Sequence, residues 1–164
     1  MLNFTFKNQT EILFGKGQID SVSSRLPKDA KVLMLYGGGS IKKNGIYDAV
    51  ITQLVSAGLS YAEYQGITPN PVIEDVDAAA EKGKAFGADV VLAVGGGSVI
   101  DASKIISITI PVDHSGWEFM AGREKPKTAL PLVDVLTLAA TGTEMNRFAV
   151  VQNNNTNEKT NNNL

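Results

Sequence analysis

Short apolar runs alternate along this chain with longer stretches of helical rhythm. Lys31–Tyr36 is apolar after its first residue, and residues 90–94 are apolar throughout. Both have the length and β-branched character of strands buried on two faces. Residues 40–57 carry Ile41, Ile46, Val50, Leu54 and Val55 near helical spacing, and Gly58 closes the helix as glycine often does. Residues 60–66 read as a strand with Tyr61 and Tyr64. Pro69-Asn70-Pro71 is a rigid turn that starts a helix reaching about Phe86. A helix follows Gly97 and runs to Ile110, where Pro111 stops it. Residues 113–127 are a loop, and residues 130–138 are a further strand. Thr141-Gly142-Thr143-Glu144 turns into a short element, and residues 148–152 form an outer strand. At the start, residues 4–14 read as two short strands around Lys7-Asn8-Gln9, and residues 18–25 as a short helix.

The order β-α-β-α-β-α-β predicts an α/β fold with a parallel, Rossmann-like sheet and helices on both faces. Ligands of such sheets sit at the carboxyl ends of the strands. Two glycine triplets fall there, Gly37-Gly38-Gly39-Ser40 and Gly95-Gly96-Gly97-Ser98, and so do the Asn70 and Thr141 turns. A strand that passes through glycines into a helix leaves backbone N–H groups free, and these favour an anion. Two such turns point to a ligand with more than one anionic part, such as a dinucleotide. Neither triplet fits G-x-G-x-x-G, because Lys42 and Ile100 stand at the third glycine position. A tight turn with no ligand is the alternative for either triplet.

The remaining candidates each carry two readings. Asp101 and Lys104 lie on the first turns of the helix that Ser98 could cap. Asp101 either complements the helix dipole or accepts from a ribose, diol or substrate hydroxyl. No acid follows Tyr36 before Asp48, and Lys42 and Lys43 intervene. This leaves room for a ribose 2′-phosphate, although a solvated helix face explains the lysines equally. Thr137, Thr141 and Thr143 supply hydroxyls for an amide or ribose, or cap the next element. His114 reads as a solvated loop histidine, and Trp117 and Phe119 as side chains that pack the loop down.

Composition narrows the chemistry. The 164 residues fit one domain with a core, and a net charge of −2 gives no basic surface for nucleic acid. No stretch approaches a membrane span, and the first residues lack the pattern of a signal peptide, so the cytosol is the expected compartment. Cysteine is absent, which excludes thiolate chemistry and disulfides. The single histidine, His114, excludes a metal site built on several histidines of this chain. The polar, asparagine-rich residues 153–164 read as a tail or a hairpin loop beyond a domain of residues 1–152.

Taken in order, several motifs resemble the iron-containing (group III) alcohol dehydrogenases. They are residues 11–17 (EILFGKG), 36–45 (YGGGSIKKNG), 66–71 (GITPNP), 95–104 (GGGSVIDASK) and 136–144 (LTLAATGTE). The resemblance is greatest to the NADPH-dependent butanol dehydrogenase and aldehyde reductase branch. It implies an N-terminal nucleotide-binding domain, with a C-terminal helical metal-binding domain outside this chain. It assigns the pyrophosphate to Gly95, Gly96, Gly97 and Ser98, with Asp101 matching the acid of the same motif, and the adenosine ribose to Gly37, Gly38, Gly39 and Ser40. It assigns Asn70, Thr137, Thr141, Thr143 and Lys159 to further cofactor contacts. The implied cofactor is NADP, with NAD second, and the implied metal is a divalent ion such as iron or zinc. The parent would interconvert small alcohols and aldehydes as a homodimer, and this chain alone is expected to be inactive. A glycerol dehydrogenase-like or dehydroquinate synthase-like parent, and a non-catalytic nucleotide-binding module, remain open alternatives.

Overall fold

The computed structural model describes residues 8–155 and 158–163. Four strands form one parallel sheet in the order β2-β1-β3-β4: β1 (Lys31–Tyr36), β2 (Ser60–Gln65), β3 (Val90–Gly95) and β4 (Leu132–Leu136). Val32 sits opposite Tyr61 on β2 and Val90 on β3, and Val91 sits opposite Leu132. Between the strands run α1 (Ser40–Lys43), α2 (Ile46–Ser56), α3 (Ile73–Phe86), α4 (Gly97–Thr109) and α5 (Trp117–Met120).

The two-residue period of the strands divides the core into two layers. Val32, Met34, Tyr36, Leu92 and Val94 face α2 and its Val50 and Leu54. Leu33, Leu35, Val91 and Ala93 face α3 and α4, through Val76, Ala80, Ile105 and Ile106. Burying each such side chain contributes ~1.5–3 kcal/mol, so the unbroken apolar runs of β1 and β3 fix them at the sheet centre. Helix α2 ends in a Schellman turn: Leu59 N–H bonds the Leu54 carbonyl at 3.0 Å and Gly58 N–H bonds Val55 at 3.0 Å. Gly58 sits at φ +68, which a side chain would strain.

Several expectations change. The helix read over residues 40–57 breaks after Lys43, because Gly45 takes a left-handed φ of +79. Residues 18–25 form two 3₁₀ turns, Gln18–Ser21 and Ser23–Arg25. Residues 8–14 form no strand, and the first of the two strands read near the N-terminus lies outside the described residues. The strand read over 130–138 is trimmed to β4, which lies at the sheet edge. The loop after α4 contains α5, whose Trp117, Phe119 and Met120 are buried, so the aromatic residues do pack it down.

Over residues 153–164, expected as a tail or a hairpin loop, the described residues form the turn and return strand of a hairpin. Glu158–Asn163 is strand β6, antiparallel to β5 (Phe148–Asn153), and together they form a separate two-stranded sheet. Ala149 and Val151 of β5 are buried in the core layer of α4. Gln152 N–H bonds the Pro71 carbonyl at 2.9 Å, which pins the hairpin beside the Asn70 turn.

Candidate functional site

The connection from β1 leads to β2 on one side, and the connection from β3 leads to β4 on the other. The chain therefore opens a crevice between the carboxyl ends of β1 and β3, the switch point of a doubly wound sheet. Both glycine triplets flank it: Gly37-Gly38-Gly39 leaves β1 and Gly95-Gly96-Gly97 leaves β3. Helix α4 begins at Gly97 without a side-chain cap. Ser98 is thus inside the first turn rather than at the N-cap expected for it. The N–H groups of Gly97 and Ser98, which open this 13-residue helix, precede its first backbone bond, from Val99 N–H to the Gly96 carbonyl at 3.0 Å, and carry the positive end of its dipole.

The six glycines divide by what a side chain would meet. A Cβ at Gly95 would lie 2.6 Å from Val99 Cγ2 and 2.9 Å from Val99 Cβ, so the fold itself demands glycine there. Gly37 is crowded by the Ile67 carbonyl at 3.1 Å, and Gly39 has a φ of +97. Gly38, Gly96 and Gly97 answer to neither constraint. A Cβ on Gly38 meets no atom within 4 Å, on Gly96 only Leu138 Cβ at 4.0 Å, and on Gly97 nothing nearer than Thr143 Cγ2 at 3.6 Å. These three positions leave bare backbone beside open space, a hollow that fits a close-approaching phosphate.

Beyond the second triplet, Thr137 extends the β3–β4 ladder by donating its N–H to the Gly95 carbonyl at 2.9 Å. Thr141 is exposed and caps nothing; the next 3₁₀ turn, Thr143–Met145, is preceded by Gly142 with no side-chain cap. Thr143 is buried, and its hydroxyl is engaged inside the chain. It donates to Asp101 Oδ1 at 2.5 Å and accepts from Lys104 Nζ at 2.6 Å. Asp101 Oδ2 accepts from Val150 N–H at 3.1 Å. Both carboxylate oxygens of Asp101 therefore hold neighbouring segments together, a role that neither sequence reading contained. Lys104 also bonds the Thr143 carbonyl at 2.6 Å and the Phe148 carbonyl at 2.7 Å. Burial pulls its pKa below the ordinary lysine value, while Asp101, Asp134 and Glu144 oppose that shift. The i, i+3 spacing of Asp101 and Lys104 was the available signal, since it sets both on one helix face.

On the other flank, Ser40 opens α1 and Lys43 ends it, exposed and without a hydrogen bond or ion pair among the described residues. Lys42 lies 4.8 Å from the Tyr47 ring centroid and 5.1 Å from that of Tyr36, and bonds Gln65 Oε1 at 3.3 Å. Beneath it, Glu63 accepts from Tyr36 at 2.7 Å and from Tyr47 at 3.0 Å. Burial, reinforced by Glu63, pushes the Tyr36 hydroxyl up to about 12. This cluster escaped the sequence reading because strand and helix supply it from separate segments. Asn70 and Lys159 meet across the crevice rim, with Lys159 Nζ donating to Asn70 Oδ1 at 2.8 Å.

A concavity of about 2170 Å³ runs along β4 instead, and Thr137 and Leu138 are among the residues that line it. It holds Asp134, whose Oδ1 is buried without a partner among the described residues. Burial pushes this carboxyl up to about 6; Lys104 opposes the shift and Glu144 adds to it. His114 lies away from these residues in the α4–α5 loop, edge-on to Phe119 at 4.8 Å. Among the described residues, no three His, Cys, Asp or Glu side chains converge to hold a metal. Also among them, no helix is long and apolar enough to cross a membrane.

A parallel sheet ordered 2-1-3-4, with bare glycine turns at its switch point, defines a doubly wound, Rossmann-like α/β domain. The chain belongs to the iron-containing alcohol dehydrogenase family, whose sequence profile matches residues 9–163. It is 45% identical over 160 residues to a probable NADH-dependent butanol dehydrogenase 1 of Bacillus subtilis, covering 97% of this chain and 41% of that protein. It is 41% identical over 162 residues to the NADPH-dependent aldehyde reductase YqhD of Escherichia coli, again covering 97% of this chain and 41% of that protein. The crystal structure of NADH-dependent butanol dehydrogenase A from Thermotoga maritima superposes with a TM-score of 0.95 at 43% identity, over 99% of this chain and 41% of that one. The chain thus spans about two fifths of the length of these relatives.

Proposed function

We propose that this chain is the cofactor-holding domain of a metal-dependent alcohol dehydrogenase or aldehyde reductase, and that it takes NADPH in preference to NADH. The observation that carries the reading is the trio of glycines, Gly38, Gly96 and Gly97, which packing and backbone conformation leave unexplained at the switch point. The bound nicotinamide supplies the hydride acceptor and donor. The backbone at Gly96–Ser98 and the α4 N-terminus hold the pyrophosphate. The turn at Gly37–Ser40 takes the adenosine ribose, where no free acid stands ready for a 2′-hydroxyl. Glu63, the nearby acid, is occupied by two tyrosine hydroxyls. Lys43 is left free to meet a 2′-phosphate. Thr137 and Thr141 offer hydroxyls to the nicotinamide half, and the Asn70–Lys159 pair borders it.

Among the described residues no donor set for the family's metal converges, and the chain contains one histidine. We assign the metal to the part of the longer relatives that this chain does not span. Substrates of the whole enzyme are small alcohols and aldehydes, by likeness to the butanol dehydrogenases and the aldehyde reductase named above. Exposed Phe14, Leu138 and Phe148 supply apolar surface for a homodimer or for the remaining domain.

Calorimetric titration of the chain with NADPH and NADH tests this reading. Saturable binding of both, tighter for NADPH, is expected. Tighter NADH binding would reverse the cofactor choice, and binding of neither would overturn the function.

A further inference from the structure

We propose that Lys104 is a positioning residue for the nicotinamide half of the cofactor, acting through Thr143 to hold the Thr137–Thr141 turn against α4. This rests on the proposed function. The turn leaves β4 after Leu136, and residues 138–141 run exposed. Its near end is fixed by the Thr137 N–H bond to Gly95. Its far end is fixed from α4, where the Lys104 ammonium bonds both the carbonyl and the hydroxyl of Thr143 at 2.6 Å. The same ammonium reaches the Phe148 carbonyl at 2.7 Å, so its three donors are spent on two segments. Asp101 completes the clamp from one turn earlier, through Thr143 Oγ1 and Val150 N–H. On the outer side, Asn8 and Thr10 donate to the Met145 and Glu144 carbonyls at 2.7 and 3.3 Å, and both bonds are exposed.

The topology makes the effect one-sided. Lys104 and Thr143 lie on the β4 side of the second triplet, and Gly37–Ser40 lies on the β1 side. Releasing Thr143 therefore loosens what faces one half of a dinucleotide and leaves the other half's cradle intact. Thr141 lies two residues before Thr143 and beside the second triplet, its Oγ1 3.9 Å from where a Cβ on Gly97 would stand.

The test compares NADPH with 2′-phospho-ADP-ribose, which lacks the nicotinamide. Both are titrated calorimetrically into the wild-type chain and into Lys104→Met, Thr143→Val and Thr143→Ser, each first checked for a cooperative thermal transition. Wild type is expected to bind NADPH more tightly. Lys104→Met and Thr143→Val are expected to bind NADPH about tenfold more weakly, because the turn that faces the nicotinamide is no longer held, and 2′-phospho-ADP-ribose within twofold of wild type. Thr143→Ser, which keeps the hydroxyl, is expected to retain the wild-type preference. A folded Lys104→Met chain that binds NADPH like wild type, or loses both ligands equally, overturns the inference. If Lys104→Met fails to fold, Thr143→Val against Thr143→Ser decides it by the same criterion. Wild type that binds both ligands equally removes the nicotinamide contact and overturns it too. Wild type that binds neither overturns the proposed function, and the inference with it.

Discussion

Lys159 of β6 donates to Asn70 Oδ1 at 2.8 Å across 89 residues of sequence. Asn70 stands at a φ of +54, a conformation that asparagine tolerates better than most residues. The bond ties the asparagine-rich strand to the rim of the switch-point crevice. Both partners are exposed, so the bond itself adds little stability. Lys159→Met is expected to move the melting temperature by less than about 3 °C, and to weaken NADPH binding about tenfold. Differential scanning fluorimetry and calorimetry check the two parts.

The glycines separate into those that packing requires and those that the proposed function assigns to a ligand. Gly95→Ala drives a Cβ into Val99 and is expected to cost about 1–3 kcal/mol in a urea melt. Gly96→Ala meets open space and is expected to change stability by no more than ~0.5 kcal/mol. Its effect falls on the cofactor instead, with NADPH affinity lowered about tenfold or more.

Asp134 gives a signed pH dependence. Its folded carboxyl titrates near 6, above the ordinary value of 3.8. The folded chain therefore binds the extra proton, and this contribution is complete below about pH 4 and lost as pH rises through 6. The difference amounts to roughly 2–3 kcal/mol. Asp134→Asn is expected to flatten stability between pH 4 and 6 and to raise it at pH 7–8, read from urea melts across that range. An unchanged profile would remove Asp134 as its source.

Tyr36 does the same at the alkaline end. Its hydroxyl titrates near 12 against an ordinary 10, so its contribution is present below pH 10 and fades between 10 and 12. Absorbance titration at 295 nm should resolve one tyrosine ionising near 12 that disappears in Tyr36→Phe. Glu63→Gln should bring that ionisation down, because it removes the charge that reinforces the effect of burial.

The sheet was legible because β1 and β3 are buried on both faces, and continuous apolar runs such as Val32–Tyr36 have few other places to go. The glycine turns were legible for the same reason, since they stand where those runs stop. The break at Gly45 was not, because Ile41 and Ile46 keep helical spacing across it. Strand β6 was also illegible: its residues carry no apolar alternation, and backbone pairing with β5 supplies the strand. Within the site, the positions of Gly37–Ser40 and Gly95–Ser98 could be read from local pattern. The closure of Asp101 and Lys104 on Thr143 could not, since it joins residues about forty apart through side-chain bonds.

The central claim is that a nicotinamide dinucleotide lies across the switch point, from the β1 turn to the β4 turn. Backbone amide NMR of the chain, titrated with NADPH, tests it most directly. The account predicts saturable shifts clustered at Gly37–Ser40, Gly95–Ser98 and Thr137–Thr141, with His114 and the α4–α5 loop unmoved. Shifts confined to the groove along β4, or none at millimolar cofactor, would contradict it.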